Sequence, residues 1–162
     1  GTLAMMVAAP ADLFARLEPL LRPMAKNARH VGTEPGQGMA MKLLNNFLSG
    51  MAMAATSEAV AFGARQGLDM ATILDTVSVS SGTNTAITDK FPNRVLSESF
   101  NSGFATRLMT KDLRLYVESC QELDAPRRLS ETLLQQVWGK MLEQQPASDF
   151  TEIYPFTLTR DK

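Results

Sequence analysis

One cysteine, Cys120, is all that this 162-residue chain contains, which rules out an intrachain disulfide and a cysteine-built zinc site. One histidine, His30, is present. No serine or carboxylate motif stands near it, so it does not read as part of a catalytic triad, and no metal site is expected. No block of like charge occurs, and the net charge is −1 with a pI near 5.9. That balance gives neither the basic footprint of a nucleic-acid binder nor a polybasic anchor. The apolar opening, residues 1–9, is too short to cross a bilayer and has no basic segment before it, so neither a membrane span nor a signal peptide is read there. No internal repeat or low-complexity tract appears. A lone cysteine suits a reducing compartment, and the expected location is cytoplasmic. The chain starts at Gly1 rather than at methionine, so a fragment of a longer protein is expected.

What is present is about one domain's length, with 44% hydrophobic and only 20% charged residues, enough to bury a core. Residues 2–9 predict a buried strand. Pro10-Ala-Asp12 starts a helix to about residue 22 despite Pro19, and Arg29-His-Val31 is a second short strand. Such a pattern cannot make a stable sheet by itself, and it reads as the edge of something larger. After Gly38 the pattern turns helical. A helix over about 39–66 would be roughly 40 Å long. It is apolar all round, which places it centrally or at a subunit interface, and Gly67 stops it. A membrane span is rejected on Asn45, Asn46, Ser49, Gly50, Thr56 and Ser57. Asp69 caps a second helix through Val77. A polar loop over 78–84 holds Ser80-Ser81-Gly82, and a helical turn near 87–91 leads to Pro92 and a loop over 97–103. A third helix spans about 106–123, with Leu113, Val117 and Cys120 on one stripe. A fourth carries Leu129, Leu133, Val137 and Met141, with Trp138 beside them, and ends at Pro146. Ser148-Asp-Phe150 begins a last turn.

The chemistry concentrates where the long helix opens, in Gly36-Gln-Gly38-Met-Ala-Met-Lys42-Leu-Leu-Asn45-Asn46. No charged residue occurs from Leu43 through Ser57, and a charge in apolar surroundings is costly unless it is paired or used. Helical spacing puts Lys42, Asn46 and Ser49 on one polar stripe, with Asn45 at its edge. Each has a plainer reading when taken alone. Lys42 could be a snorkelling surface lysine, and the asparagines could hydrogen-bond between packed helices. Gly36-x-Gly38 is not a dinucleotide fingerprint, because Met41 stands where a third glycine belongs. A second lysine followed by an acid, Lys111-Asp112, lies near the start of the third helix.

The set of Gly36 to Asn46 (G-x-G-x-x-x-K-x-x-x-N), Ser80-Ser81-Gly82, Gly103-Phe104, Lys111-Asp112-Leu113 and Asp149-Phe150, at these separations, resembles the β-hydroxyacid dehydrogenases. Within them the pattern is most similar to 3-hydroxyisobutyrate dehydrogenase and tartronate semialdehyde reductase. The resemblance covers nearly the whole chain. It implies a mainly α fold, a helical bundle like the C-terminal domain of 6-phosphogluconate dehydrogenase with a long central helix, over residues 33–162. Residues 1–32 would be a short β-α-β remnant of a Rossmann domain, since Gly1-Thr-Leu3 resembles the family's G-T-L near the end of that domain. The implied cofactor is NAD or NADP, bound mainly by a domain that would precede Gly1. A fragment without that domain is expected to bind dinucleotide poorly and not to turn over.

By the same resemblance Lys42 is the catalytic acid–base, Asn46 and Asn45 contact substrate, Phe104 lines the site, Asp112 orders it and Lys111 contacts the cofactor. The chemistry suits a lysine: oxidising an alcohol needs the hydroxyl proton removed as hydride leaves, and the reverse needs a cation at the carbonyl oxygen. A lysine at its free pKa of about 10.4 is a poor base, and partial burial would lower that value. The implied substrate is a small hydroxy acid or its semialdehyde. A phosphorylated sugar acid is disfavoured, because no histidine follows Lys42 anywhere in the chain. Long helices intertwine between subunits in this family, so a homodimer or tetramer is implied, while nucleic acid and membrane are not expected partners. The alternative is a non-catalytic, dehydrogenase-like oligomerisation module. The presence of Lys42 favours the enzyme.

Overall fold

A computed structural model describes residues 3–160. Strand β1 (Ala4–Ala8) pairs in parallel with β2 (Asn27–Gly32), and helix α1 (Ala11–Leu21) makes the crossover between them. Then follow α2 (Gln37–Arg65), α3 (Met70–Ser78), a π-helical segment (Ala86–Val95) and α4 (Thr106–Glu122). The chain closes with α5 (Arg128–Thr132), a second π segment (Leu133–Trp138), α6 (Gly139–Gln144), one 3-10 turn (Phe150–Glu152) and α7 (Ile153–Arg160). Two compact units divide the chain, with the boundary inside α2 between Asn45 and Asn46.

In the first unit the register runs from Ala4 opposite Asn27 to Val7 opposite His30. The strand expected over residues 2–9 is present but not buried: β1 is half-exposed along its length, because a sheet of two strands has little to cover it. Gly1 and Thr2 of the G-T-L similarity lie outside the described residues. Helix α1 passes through Pro19 and fully buries none of its residues. His30 Nε2 donates to the Ala9 carbonyl at 2.7 Å, and its ring stacks on Phe14. The two glycines at the start of α2 have separate reasons. Gly36 adopts φ +95°, a left-handed conformation that glycine takes without strain. A Cβ on Gly38 would sit 2.5 Å from the Met6 carbonyl oxygen, so only glycine lets the helix start pass the strand.

The second unit is helix packed on helix around Met53, Val60, Phe91, Met109, Leu113 and Trp138. Gly50 sets how closely α2 is approached. Trp138 Nε1 donates to the Gly50 carbonyl at 3.3 Å, and a Cβ there would lie 2.9 Å from Met109 Sδ. By length and composition α2 would pass for a membrane span, yet its Met53 and Val60 are core residues of this unit.

Two expectations need correction. The turn expected near 87–91 is a ten-residue helix, Ala86–Val95, that runs through Pro92. Proline lacks an N–H and crowds the carbonyl four residues back. Here the turn widens, and the Leu96 N–H donates to the Phe91 carbonyl at 2.8 Å, five residues back, which is where helices absorb such a disruption. The stripe Leu129-Leu133-Val137-Met141 is also phased differently. Leu129 is 68% exposed, and the buried set is Leu133, Trp138 and Met141. The π segment adds a residue to the repeat, so Trp138 turns inward where a 3.6-residue period would place Val137.

Candidate active site

Helices α2 and α4 carry the polar groups that the sequence singles out. Asn46 Nδ2 on α2 donates to Asp112 Oδ2 on α4 at 2.7 Å, and Lys111 Nζ lies 2.9 Å from Asp112 Oδ1. Asp112 is 2% exposed, whereas 55% of the Lys111 side chain is exposed. A buried carboxylate is tolerated when it is both ion-paired and hydrogen-bonded. The bond to Asp112 also settles which end of the Asn46 amide points where, with the nitrogen on the carboxylate.

Asn46 lines a cavity of about 210 Å³ together with Ser49, Lys90, Ser102, Phe104, Met109 and Phe150. Ser49 therefore shares the cavity with Asn46, as their common stripe suggests. Phe104 is half-buried and meets Phe150 edge-to-face with ring centroids 5.5 Å apart. Asp112 and Lys111 do not line this cavity. Asp112 reaches it through Asn46.

Asp149 holds the Phe104 loop in place. Its carboxylate accepts from Ser102 Oγ at 3.0 Å, from the Gly103 and Phe104 N–H groups at 2.9 and 3.2 Å, and from Thr151 N–H and Oγ1 at 3.0 and 2.6 Å. It also forms a capping box with Glu152 at the start of the last helical stretch. Burial pulls the Asp149 carboxyl upward, but the donors from Thr151, Ser102 and Gly103 outweigh it and hold the carboxyl below its ordinary range. The sequence marks Asp149-Phe150 as part of a pattern without assigning a role. Ser102 and Lys90 were missed altogether. The position of Ser102 directly before Gly103-Phe104 was the one available hint, and nothing local marks Lys90.

Lys42 is half-buried on α2, one turn before Asn46 on an unbroken helix, and belongs to the first unit. Asn45 is exposed rather than core-facing. Ser80-Ser81-Gly82 forms an exposed turn in which the Ser80 N–H donates to the Val77 carbonyl and the Thr83 N–H to the Ser80 carbonyl. Cys120 is buried. A larger cavity, about 620 Å³, lies against Ala54, Phe62, Arg65, Gln136 and Phe156 and includes none of the expected site residues.

Residues 36–157 match the family model described as "NAD-binding of NADP-dependent 3-hydroxyisobutyrate dehydrogenase". The chain belongs to this family. A 3-hydroxyisobutyrate dehydrogenase of Pseudomonas aeruginosa is 39% identical over 131 residues, which are 77% of this chain and 44% of that protein. The 2-(hydroxymethyl)glutarate dehydrogenase of Eubacterium barkeri is 37% identical over 126 residues, 78% of this chain and 42% of that protein. Among solved structures, the 3-hydroxyisobutyrate dehydrogenase of Mycobacterium tuberculosis with L-serine superposes with a TM-score of 0.87 at 26% identity, covering 96% of this chain and 55% of that one. The chain thus spans about half the length of the 3-hydroxyisobutyrate dehydrogenase relatives it matches. The cofactor class of the 3-hydroxyisobutyrate dehydrogenase family is NAD(P).

Proposed function

We propose that this chain is the helical, substrate-side half of an NAD(P)-dependent dehydrogenase that interconverts a small 3-hydroxy acid and its semialdehyde. The observation that carries this reading is Asn46 at the wall of a small cavity, tied to a buried Asp112 that is paired with Lys111. Relatives named for 3-hydroxyisobutyrate, 2-(hydroxymethyl)glutarate and L-serine support a class of short hydroxy acids rather than one member.

The donor set suits the cofactor. Lys111 has an exposed ammonium anchored by a buried carboxylate, and it would hold polar groups of NAD(P) from this side. When bound, NAD(P) supplies the hydride acceptor or donor. The chain's own residues do the rest. Asn46 orients the substrate oxygen. Lys42 takes the hydroxyl proton during oxidation and returns it to the carbonyl oxygen during reduction, and its cationic form stabilises developing alkoxide charge. Phe104 and Phe150 keep water from the carbon chain.

The test is turnover of the full-length protein on a panel of 3-hydroxy acids with NAD and with NADP, before and after Lys42→Ala. Loss of a general acid–base lowers kcat by about 10²–10⁴-fold. Retained activity in that variant would overturn the role of Lys42.

A second reading, association through α2, rests on a separate observation. Leu48, Ala55, Ala59 and Phe62 are all exposed, and at i, i+7, i+11 and i+14 they share one face. An apolar stripe of that length suits a second copy of the same helix. Sedimentation of the protein reads this directly: a monomer at every concentration would exclude a dimer built on α2.

A further inference from the structure

We propose that Lys90 is the anion-binding residue of the 210 Å³ cavity and takes a carboxylate of the substrate. This rests on the hydroxy-acid reading above and adds to it a binding group and a substrate feature.

Among the described residues Lys90 is the only charged side chain that lines the cavity; the other lining groups are an amide, two hydroxyls, two phenylalanines and a methionine. It stands on the π-helical segment Ala86–Val95. Ile87, Phe91 and Val95 on that segment are buried, which fixes the face that Lys90 presents. Its side chain is 34% exposed and lines the cavity, an arrangement in which a lysine stem is covered and its charged end stays accessible. Among the described residues the one partner of that ammonium is the adjacent Asp89, which also accepts from Asn93 Nδ2 at 3.1 Å. An ammonium has three N–H donors and Asp89 engages one, which leaves donors for a ligand. Asp89 already offsets part of that charge, and a ligand carboxylate at the remaining donors adds charge-assisted bonds.

The rest of the lining is consistent with a short acid. Phe104, Met109 and Phe150 offer apolar surface to a carbon chain, while Asn46 and Ser49 offer partners to a hydroxyl. The volume lies below the roughly 300–1,000 Å³ of sites for drug-sized ligands, which suits an acid of a few carbons. The carboxylate at Lys90 is either the one that every 3-hydroxy acid carries or a second one at the far end of a dicarboxylate.

The experiment compares 3-hydroxyisobutyrate with 2-(hydroxymethyl)glutarate, a primary alcohol with a second, distal carboxylate, in the full-length enzyme, as wild type, Lys90→Gln and Lys90→Arg. Replacing the ammonium by a neutral amide raises KM roughly tenfold or more, the scale of one hydrogen bond to a charged group, with a much smaller change in kcat, and Lys90→Arg recovers most of the loss. A rise for both substrates assigns the common carboxylate to Lys90; a rise confined to 2-(hydroxymethyl)glutarate assigns the second. Unchanged KM for both, or a fall in kcat at constant KM, overturns the proposal while the hydroxy-acid reading stands. A wild-type protein inactive on every 3-hydroxy acid overturns that reading instead. Lys90 is then judged by binding: chemical-shift changes of cavity residues on adding glutarate support it if Lys90→Gln removes them, and refute it if they persist or never occur.

Discussion

The strand–helix–strand segment and the helical unit are built from equally regular elements, yet they bury their side chains very differently. Strands β1 and β2 pair in parallel and α1 makes two and a half turns or more, but only Ala9 and Ala25 are buried in that segment, and Leu3, Leu13, Leu20 and Met24 stay exposed. In the helical unit Trp138, Phe91, Phe156 and Met53 are almost wholly buried. Backbone hydrogen bonds suffice to define elements, whereas stability follows the apolar area taken from water. A parallel pair of strands belongs to sheets covered on both faces, and two strands alone expose most of what they carry. The same apolar pattern thus announces a surface that wants cover without saying whether this chain supplies it.

The largest expected effect tests that contrast directly. Trp138→Ala removes a fully buried ring and its bond to the Gly50 carbonyl, at a cost of about 3–5 kcal/mol. Leu20→Ala in α1, where the side chain is 67% exposed, changes stability by no more than about 0.5 kcal/mol. Urea unfolding followed by helix circular dichroism measures both. Similar losses in the two variants would break the comparison.

Local signals were legible wherever one residue acts on its own neighbourhood. Asp69 accepts from the Thr72 N–H at 3.0 Å and starts α3 as expected, and Gly36 and Gly38 mark the entry to α2 for reasons visible in their own backbone. Lys111-Asp112 and Asn46 were legible as a set only through a family pattern, since 66 residues separate Asn46 from Asp112. The π segments were not legible, because hydrophobic periodicity assumes 3.6 residues per turn and a single extra residue rephases the face beyond it. That is why Trp138 lies inside where the period places Val137. Lys90 escaped for a related reason: its chemistry comes from a cavity assembled by α2, a π segment, a loop, α4 and the 3-10 turn, and no spacing along the chain encodes that meeting.

The smallest effect is the acid limb of the helical unit, where Asp89 and Asp149 are two carboxyls held below their ordinary range. Asp149 is the informative one, because it joins Ser102, Gly103 and Phe104 to Thr151 across more than 40 residues of sequence. Its folded pKa lies below the unfolded value of about 3.9, so the unfolded state binds the proton more readily. The stabilisation is therefore complete above about pH 5 and is lost as pH falls through the folded pKa. Asp149→Asn keeps the size of the side chain but turns one acceptor oxygen into a donor facing N–H and O–H groups. At neutral pH that leaves donors unpaired at a cost of about 1–3 kcal/mol. Below pH 4 the wild type loses its advantage and the two proteins converge. Helix content followed through urea titrations between pH 2 and 7 gives the difference at each pH. A gap that stays constant down to pH 2 would mean that geometry, and not the ionised carboxylate, holds the Phe104 loop.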